Sequence, residues 1–144
     1  MAHIDIVYVG HLLTVAVLGD LSSDEVIGVI NEHYSNGIVK NVIWDLTEGS
    51  LANITKEGFK AIAKATLESL ASGARQGGRT AFVGDKTAEY GLMRMYTAIA
   101  EMTGVKTQYN VFRTIDEAVI WLESQRLEAI KNSRESLIDK DRSG

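Results

Sequence analysis

The sequence predicts an α/β domain on a mixed sheet of about five strands, the first antiparallel and the rest parallel, with about four helices. Three observations carry this reading. A β-branched pair opens the chain, short apolar runs then alternate with helix-period segments, and capping signals precede several of those segments. Residues 4–9 (IDIVYV) and 12–18 (LLTVAVL) flank Gly10 and His11, and a two-residue connection containing Gly is a hairpin signal. Ser22 and Glu25 have capping-box spacing before an apolar face of Val26, Ile27, Val29 and Ile30, so a helix is expected over 23–34. Asn36 and Gly37 end it. Residues 41–46 (NVIWDL) are a nearly continuous apolar run, as in a strand covered on both faces.

Phe59, Ile62, Ala63, Leu67, Leu70 and Ala74 recur at three- and four-residue intervals and predict a long helix whose stripe faces the sheet. The turn GARQGG leads to a strand over 79–84 (RTAFVG). Leu92, Met95, Tyr96, Ile99 and Met102 mark the next helix, with Gly104 placed to end it. A last strand over 108–113 (QYNVFR) precedes a second capping box, Thr114 with Glu117, and the apolar positions Ala118, Val119, Trp121 and Leu122. Strands alternating with helices imply parallel neighbours and right-handed crossovers. One domain over 1–124 is expected. In the charged segment 125–144, Leu127, Ile130 and Leu137 keep helical spacing, and it reads either as a helical extension or as a frayed tail.

Composition narrows the function classes. In 144 residues, hydrophobic side chains make up 45% and charged ones 24%, the balance of a globular chain. The absence of cysteine excludes disulfides, thiolate nucleophiles and Cys-based metal sites. The opening MAHIDIVYVG lacks the layout of a signal peptide, so a cytoplasmic location is expected. No apolar run approaches the ~20 residues of a membrane span. A formal charge of −4 gives no broad basic footprint and argues against a nucleic-acid partner. His3, His11 and His33 lie apart without ligand spacing, so no metal and no cofactor is expected. VGDKT lacks the glycines of a phosphate loop, GARQGG precedes a strand where a dinucleotide fingerprint would follow one, and no serine sits in a nucleophile elbow. With no catalytic set, a non-enzymatic role is expected.

Open α/β sheets bind ligands beyond the carboxyl ends of their strands, where the segments 47–55, 85–90 and 113–114 belong. The expected ligand or partner surface is Asp45, Ser50, Asn53, Thr55, Lys56, Lys86, Tyr90 and Arg94. Structural roles compete at each. Asn53 or Thr55 caps the following helix, Asp45 accepts backbone N–H groups at a strand end, and Met93, Met95 and Met102 fill the core. Lys56, Lys86 and Arg94 suggest an anion clamp at helix N-termini. Phe59, Leu92, Met95 and Tyr96 suit either an apolar ligand or the core. Open sheet edges and the apolar residues of the C-terminal segment are compatible with a homodimer.

The order of elements resembles the STAS domain family, which includes the SpoIIAA-type anti-sigma-factor antagonists. Residues 80–122, with YGLMRMY, VFRTIDEA and the following WL, look like the SpoIIAA-like family of small bacterial proteins. The resemblance covers about residues 5–123 and implies a single STAS/SpoIIAA-like domain, distantly linked to the lipid-binding CRAL-TRIO fold. Gly91 then reads as a site of close helix packing. In the antagonists the loop reaches the next helix through an Ile-Asp-Ser-Ser/Thr-Gly-Leu type sequence whose first Ser is phosphorylated. The matching stretch here is ITKEGF: Ile54, Gly58 and Phe59 keep the structural positions, while Thr55 replaces Asp, Lys56 replaces the phosphorylated Ser and Glu57 replaces the second hydroxyl. Lys56 thus puts a positive charge where a phosphate would add about −1.5 to −2, leaving Thr47, Ser50 and Thr55 as nearby hydroxyls. A non-enzymatic regulatory or ligand-binding module is expected, taking a protein partner or a small apolar or anionic ligand. The alternative is a carrier of a lipid or other apolar small molecule.

Overall fold

The computed structural model describes residues 2–143. β1 (His3–Val9) and β2 (Leu12–Asp20) form the antiparallel hairpin, with Val9 opposite Leu12. Gly10 turns it at a φ of +58°, a left-handed conformation in which a side chain would be strained. β2, β3 (Asn41–Ser50), β4 (Arg79–Val83) and β5 (Gln108–Phe112) are parallel, and the sheet order is β1-β2-β3-β4-β5. This order never reverses, so crossovers of one hand place every connecting helix on the same face. α1 (Ser23–Val29), α2 (Lys56–Leu70) and α3 (Thr87–Thr103) form that layer. α4 (Ile115–Ser143) has no strand to return to and folds back over the other face.

Both capping signals act. The Glu25 N–H donates to Ser22 Oγ and the Ser22 N–H to Glu25 Oε1, each at 3.1 Å. At the start of α4 the Glu117 N–H donates to Thr114 Oγ1 at 3.2 Å. Gly104 ends α3 at a φ of +98°. The first helix departs from expectation: after Val29 the chain widens into a π-helical turn over Ile30–Tyr34, which buries both Ile30 and Tyr34.

The apolar run of β3 serves two cores. Val42, Trp44 and Leu46 pack under α1–α3, while Ile43 packs with Ala81, Val83, Ala118 and Leu122 beneath α4. On α2 the buried stripe is Phe59, Ile62, Ala63 and Thr66. Thr66 takes the inward place expected of Leu67 because its hydroxyl donates to the Ile62 carbonyl at 2.9 Å, which satisfies the polar group inside the helix. Leu67 is left exposed and Ala74 lies past the helix end. On α3 the inward positions are Glu89, Met93, Tyr96 and Ala100, so of the three methionines only Met93 fills the core. Met95 faces out and Met102 is 87% exposed. Gly91 is exposed with open space around it, so it mediates no close packing.

β3 runs four residues further than its apolar pattern suggests. After a bulge in β2 the pairing resumes as Leu18 with Glu48, Gly19 with Gly49 and Asp20 with Ser50. A side chain at Gly49 would stand 3.0 Å from Val17, so glycine permits this extension.

Arg79 joins β4 to α4. Its guanidinium donates to the Trp121 carbonyl (2.8 Å), Ser124 Oγ (3.0 Å) and Gln108 Oε1 (2.9 Å), pairs with Glu128 (3.5 Å) and lies over the Trp121 ring. α4 continues unbroken to Ser143. At about 1.5 Å per residue it reaches ~43 Å, against ~17 Å for β4, so it outruns the sheet. Leu127 and Ile130 are exposed on it, and the side chain of Leu137 lies outside the described residues. No described helix is long and apolar enough to cross a membrane.

Candidate functional site

The turn from β3 into α2 is held by a residue of another helix. Glu89, in the first turn of α3 and 6% exposed, accepts the Ser50 hydroxyl at 3.0 Å with one carboxylate oxygen and the Leu51 N–H at 2.8 Å with the other. Ser50 Oγ in turn accepts the Ala52 N–H at 3.1 Å, and the Ile54 N–H donates to the Leu51 carbonyl at 3.0 Å. Leu51 and Ile54 are buried between these contacts. Thr55 is the N-cap of α2, its hydroxyl accepting the Gly58 N–H at 3.0 Å. Asn53, the other capping candidate, is exposed. A side chain at Gly58 would meet Ile54 at 3.0 Å and Ser23 at 3.3 Å, so that glycine lets α2 start against α1.

Sequence reasoning missed Glu89. A glutamate in the first turn of a helix ordinarily complements the helix dipole, and nothing in its local pattern says that it reaches across to another loop.

The expected site residues divide into groups. Ser50, Asn53, Thr55 and Lys56 share one short segment, which Glu89 ties to the helix turn carrying Lys86 and Tyr90. Asn53, Thr55, Lys56 and Lys86 are exposed. Arg113 from the next loop lies over the Tyr90 ring at 4.7 Å and donates to the Asp85 carbonyl at 3.4 Å. Asp45 stands apart: alternation along the strand puts it with Ile43 on the α4 side, where Oδ1 accepts the Thr47 N–H at 3.1 Å and the Thr47 hydroxyl. Arg94 lines a different groove, of about 710 Å³, with Thr97, Glu101, Gln108, Asn110 and Trp121 along the outer edge of β5. Lys56 and Lys86 are not part of that lining.

Beneath the loop, an apolar crevice runs between the sheet and α1–α3. Leu21, Leu51 and Ile54 close its upper end, and Tyr34, Trp44, Tyr96 and Tyr109 line it lower down. Its cavity of about 30 Å³ holds one water or little more. Phe59 and Tyr96 line it as expected, whereas Leu92 and Met95 do not. Phe82 stacks on Tyr109 at 5.8 Å with Tyr96 edge-on to both. Burial pushes the Tyr34 and Tyr109 hydroxyls above their ordinary pKa and the Tyr96 hydroxyl up to about 12.

The histidines are dispersed: His3 meets Asp5 at 3.0 Å, His11 meets the Ile38 carbonyl at 2.7 Å, and His33 meets the Tyr8 hydroxyl. Among the described residues no group of three or more His, Cys, Asp or Glu side chains is placed to hold a metal ion.

No family model and no curated protein matches the chain. Solved structures do. An anti-sigma factor antagonist from Mycobacterium paratuberculosis aligns with a TM-score of 0.61 at 15% identity, over 85% of this chain and 95% of that one. The unphosphorylated form of the anti-sigma factor antagonist SpoIIAA aligns with a TM-score of 0.51 at 11% identity, over 85% and 98%. An uncharacterized protein with a SpoIIAA-like fold from Shewanella loihica aligns at 0.48 and 19%, over 84% and 93%. The first two similarities establish that the chain has the STAS/SpoIIAA-like fold expected from its sequence.

Two outcomes follow from the geometry. Glu89→Ala leaves the buried Leu51 N–H and the Ser50 hydroxyl without their acceptor and is expected to lower stability by about 1–3 kcal/mol, measured by urea unfolding; an unchanged midpoint would show that the clamp contributes nothing. The raised tyrosine pKa values set the alkaline limit. Because the folded state resists ionisation that the unfolded chain undergoes at 10, stability is intact below pH 10 and falls as pH rises toward 12. Phenolate absorbance followed with unfolding should show part of the tyrosine signal appearing only with loss of structure, and full titration of a still-folded protein near pH 10 would contradict the assignment.

Proposed function

We propose that this domain is a non-enzymatic regulatory module that binds a protein partner through the 51–55 segment and the first turns of α2 and α3. The observation that supports it most is the Glu89 clamp. It fixes a loop of exposed polar side chains on the fold of the anti-sigma factor antagonists, and a fixed loop loses little conformational entropy on docking.

The same geometry supports constitutive rather than phosphorylation-switched binding. Lys56 is exposed where the antagonists carry their phosphorylated serine, and the three hydroxyls nearby are engaged. Ser50 donates to Glu89, Thr47 to Asp45, and Thr55 caps α2. Phosphate on Ser50 would also stand against a buried carboxylate, where like charges repel. The partner surface carries the cations Lys56 and Lys86, so an acidic partner face suits it. A cytoplasmic setting is consistent with the cysteine-free sequence, and residues 125–143 extend the module as a helical arm suited to self-association. A second reading, a carrier for an apolar small molecule, draws on the crevice beneath the loop.

The test is capture with the full chain as bait, comparing wild type with Lys56→Glu/Lys86→Glu. A partner retained by wild type and recovered about tenfold less with the double variant is expected. Equal recovery by both, or substrate turnover lost on changing these lysines, would overturn the reading.

A further inference from the structure

Helix α4 carries a second apolar stripe that its own domain does not cover. Ala118, Leu122 and Trp121 pack it on the sheet, and Arg79 holds the next turn through the Trp121 carbonyl, Ser124 and Glu128. Ile120, Leu127 and Ile130 are all more than half exposed. At about 100° per residue these three fall within one arc, on the side of the helix turned from the sheet. Along that side the sequence reads Ile120, Glu123, Leu127, Ile130, Arg134 and Leu137, in alternating steps of three and four residues, which is the spacing of a coiled-coil seam. Leu137 enters by its position in the sequence alone. Glu123 and Arg134 are exposed as well, and the ion pairs among the described residues include neither.

The order of these residues names what covers them. From either end the seam runs apolar, charged, apolar, and its two charges are of opposite sign. Laid antiparallel on a second copy, Leu127 faces Ile130 of the partner subunit, Ile120 faces Leu137 of the partner subunit, and Glu123 faces Arg134 of the partner subunit. A two-fold axis repeats each pairing, so the face is complementary to itself. A parallel pair in register would set Glu123 against Glu123 and Arg134 against Arg134, and facing like charges disfavour it. Charged groups within such a seam cost stability and in return fix register and orientation. The position of the arm also suits this pairing. α4 starts beside Thr114 at the carboxyl ends of the strands and passes Arg79 at the start of β4, so it leaves the domain at the end opposite the 51–55 segment. An antiparallel pair then holds the two domains at opposite ends, with both loops free.

We propose that the chain forms an antiparallel homodimer through the outer side of α4, with Leu127 and Ile130 at its centre and Glu123 paired with Arg134 of the partner subunit. The proposal rests on the self-association reading of the arm, which it deepens by giving the seam, orientation and register, and it is independent of the loop that binds a partner. Over residues 120–137 the paired helices run for about 27 Å. A seam this short with charges inside it makes a modest interface, so the dimer forms in proportion to concentration.

Sedimentation velocity of the full chain over a wide concentration range tests this. Wild type should pass from monomer to dimer, and Leu127→Lys/Ile130→Lys should stay monomeric; both positions are exposed in the single chain, so the domain still folds. Glu123→Arg sets two cations face to face and should weaken the dimer at least about tenfold. Adding Arg134→Glu to it restores opposite charges and should recover wild-type association, which only facing positions allow. The cysteine-free sequence permits a direct check of orientation. In the antiparallel pair the two copies of position 123 stand ~16 Å apart along the axis, so oxidising a mixture of Glu123→Cys and Arg134→Cys chains should give the mixed disulfide. Disulfides of like with like, or a double reversal without recovery, would overturn the antiparallel register. A dimer undiminished in Leu127→Lys/Ile130→Lys would overturn the seam and assign self-association to another surface. Wild type monomeric at every concentration would overturn the proposal together with the self-association reading, and would leave partner capture through Lys56 and Lys86 untouched.

Discussion

The unreversed order of the sheet governs most of what this protein can do. Because the chain steps from β2 to β5 in one direction, α1, α2 and α3 share a face and the last helix is left to cover the other. β3 is thereby buried on both sides. The order has no topological switch point, the place where open α/β sheets form their usual ligand crevice. Exposed polar side chains are left to the loops over the carboxyl ends of the strands, and the apolar crevice lies in the layer between the sheet and its three helices.

Within that frame Glu89 has a disproportionate role. Helix α3 follows β4, one helix and one strand of chain after the loop it secures, and its first-turn carboxylate closes the gap between β3 and α2. The loop's apolar residues then plug the crevice below while its polar residues remain outside. The proposed partner surface and the interior cavity are therefore joined at Leu51 and Ile54, which belong to the loop and line the crevice.

Local chemistry was legible in the sequence and long-range chemistry was not. The hairpin at Gly10, the capping box at Ser22 and the stop at Gly104 each act within a few residues, and each was readable from spacing alone. Helix faces were less so. On α2 both Thr66 and Leu67 fit a helical stripe, and the hydroxyl's bond to its own helix decides for Thr66. On α3 the methionines at 95 and 102 look apolar enough for a core but fall on the side turned from the sheet. The extension of β3 past Leu46 depends on pairing with a bulged β2, which no periodicity announces. Glu89 was invisible because its partners lie dozens of residues away in the chain.

The central claim is that the segment after β3 is a fixed platform. Amide hydrogen exchange at Leu51 tests it most directly, because that N–H is buried and its acceptor is the Glu89 carboxylate. The account predicts protection at Leu51 comparable to the central amides of β3, with the neighbouring exposed Asn53 exchanging faster. Exchange at Leu51 at the rate of an unstructured chain would mean that the loop opens freely, and would contradict the account.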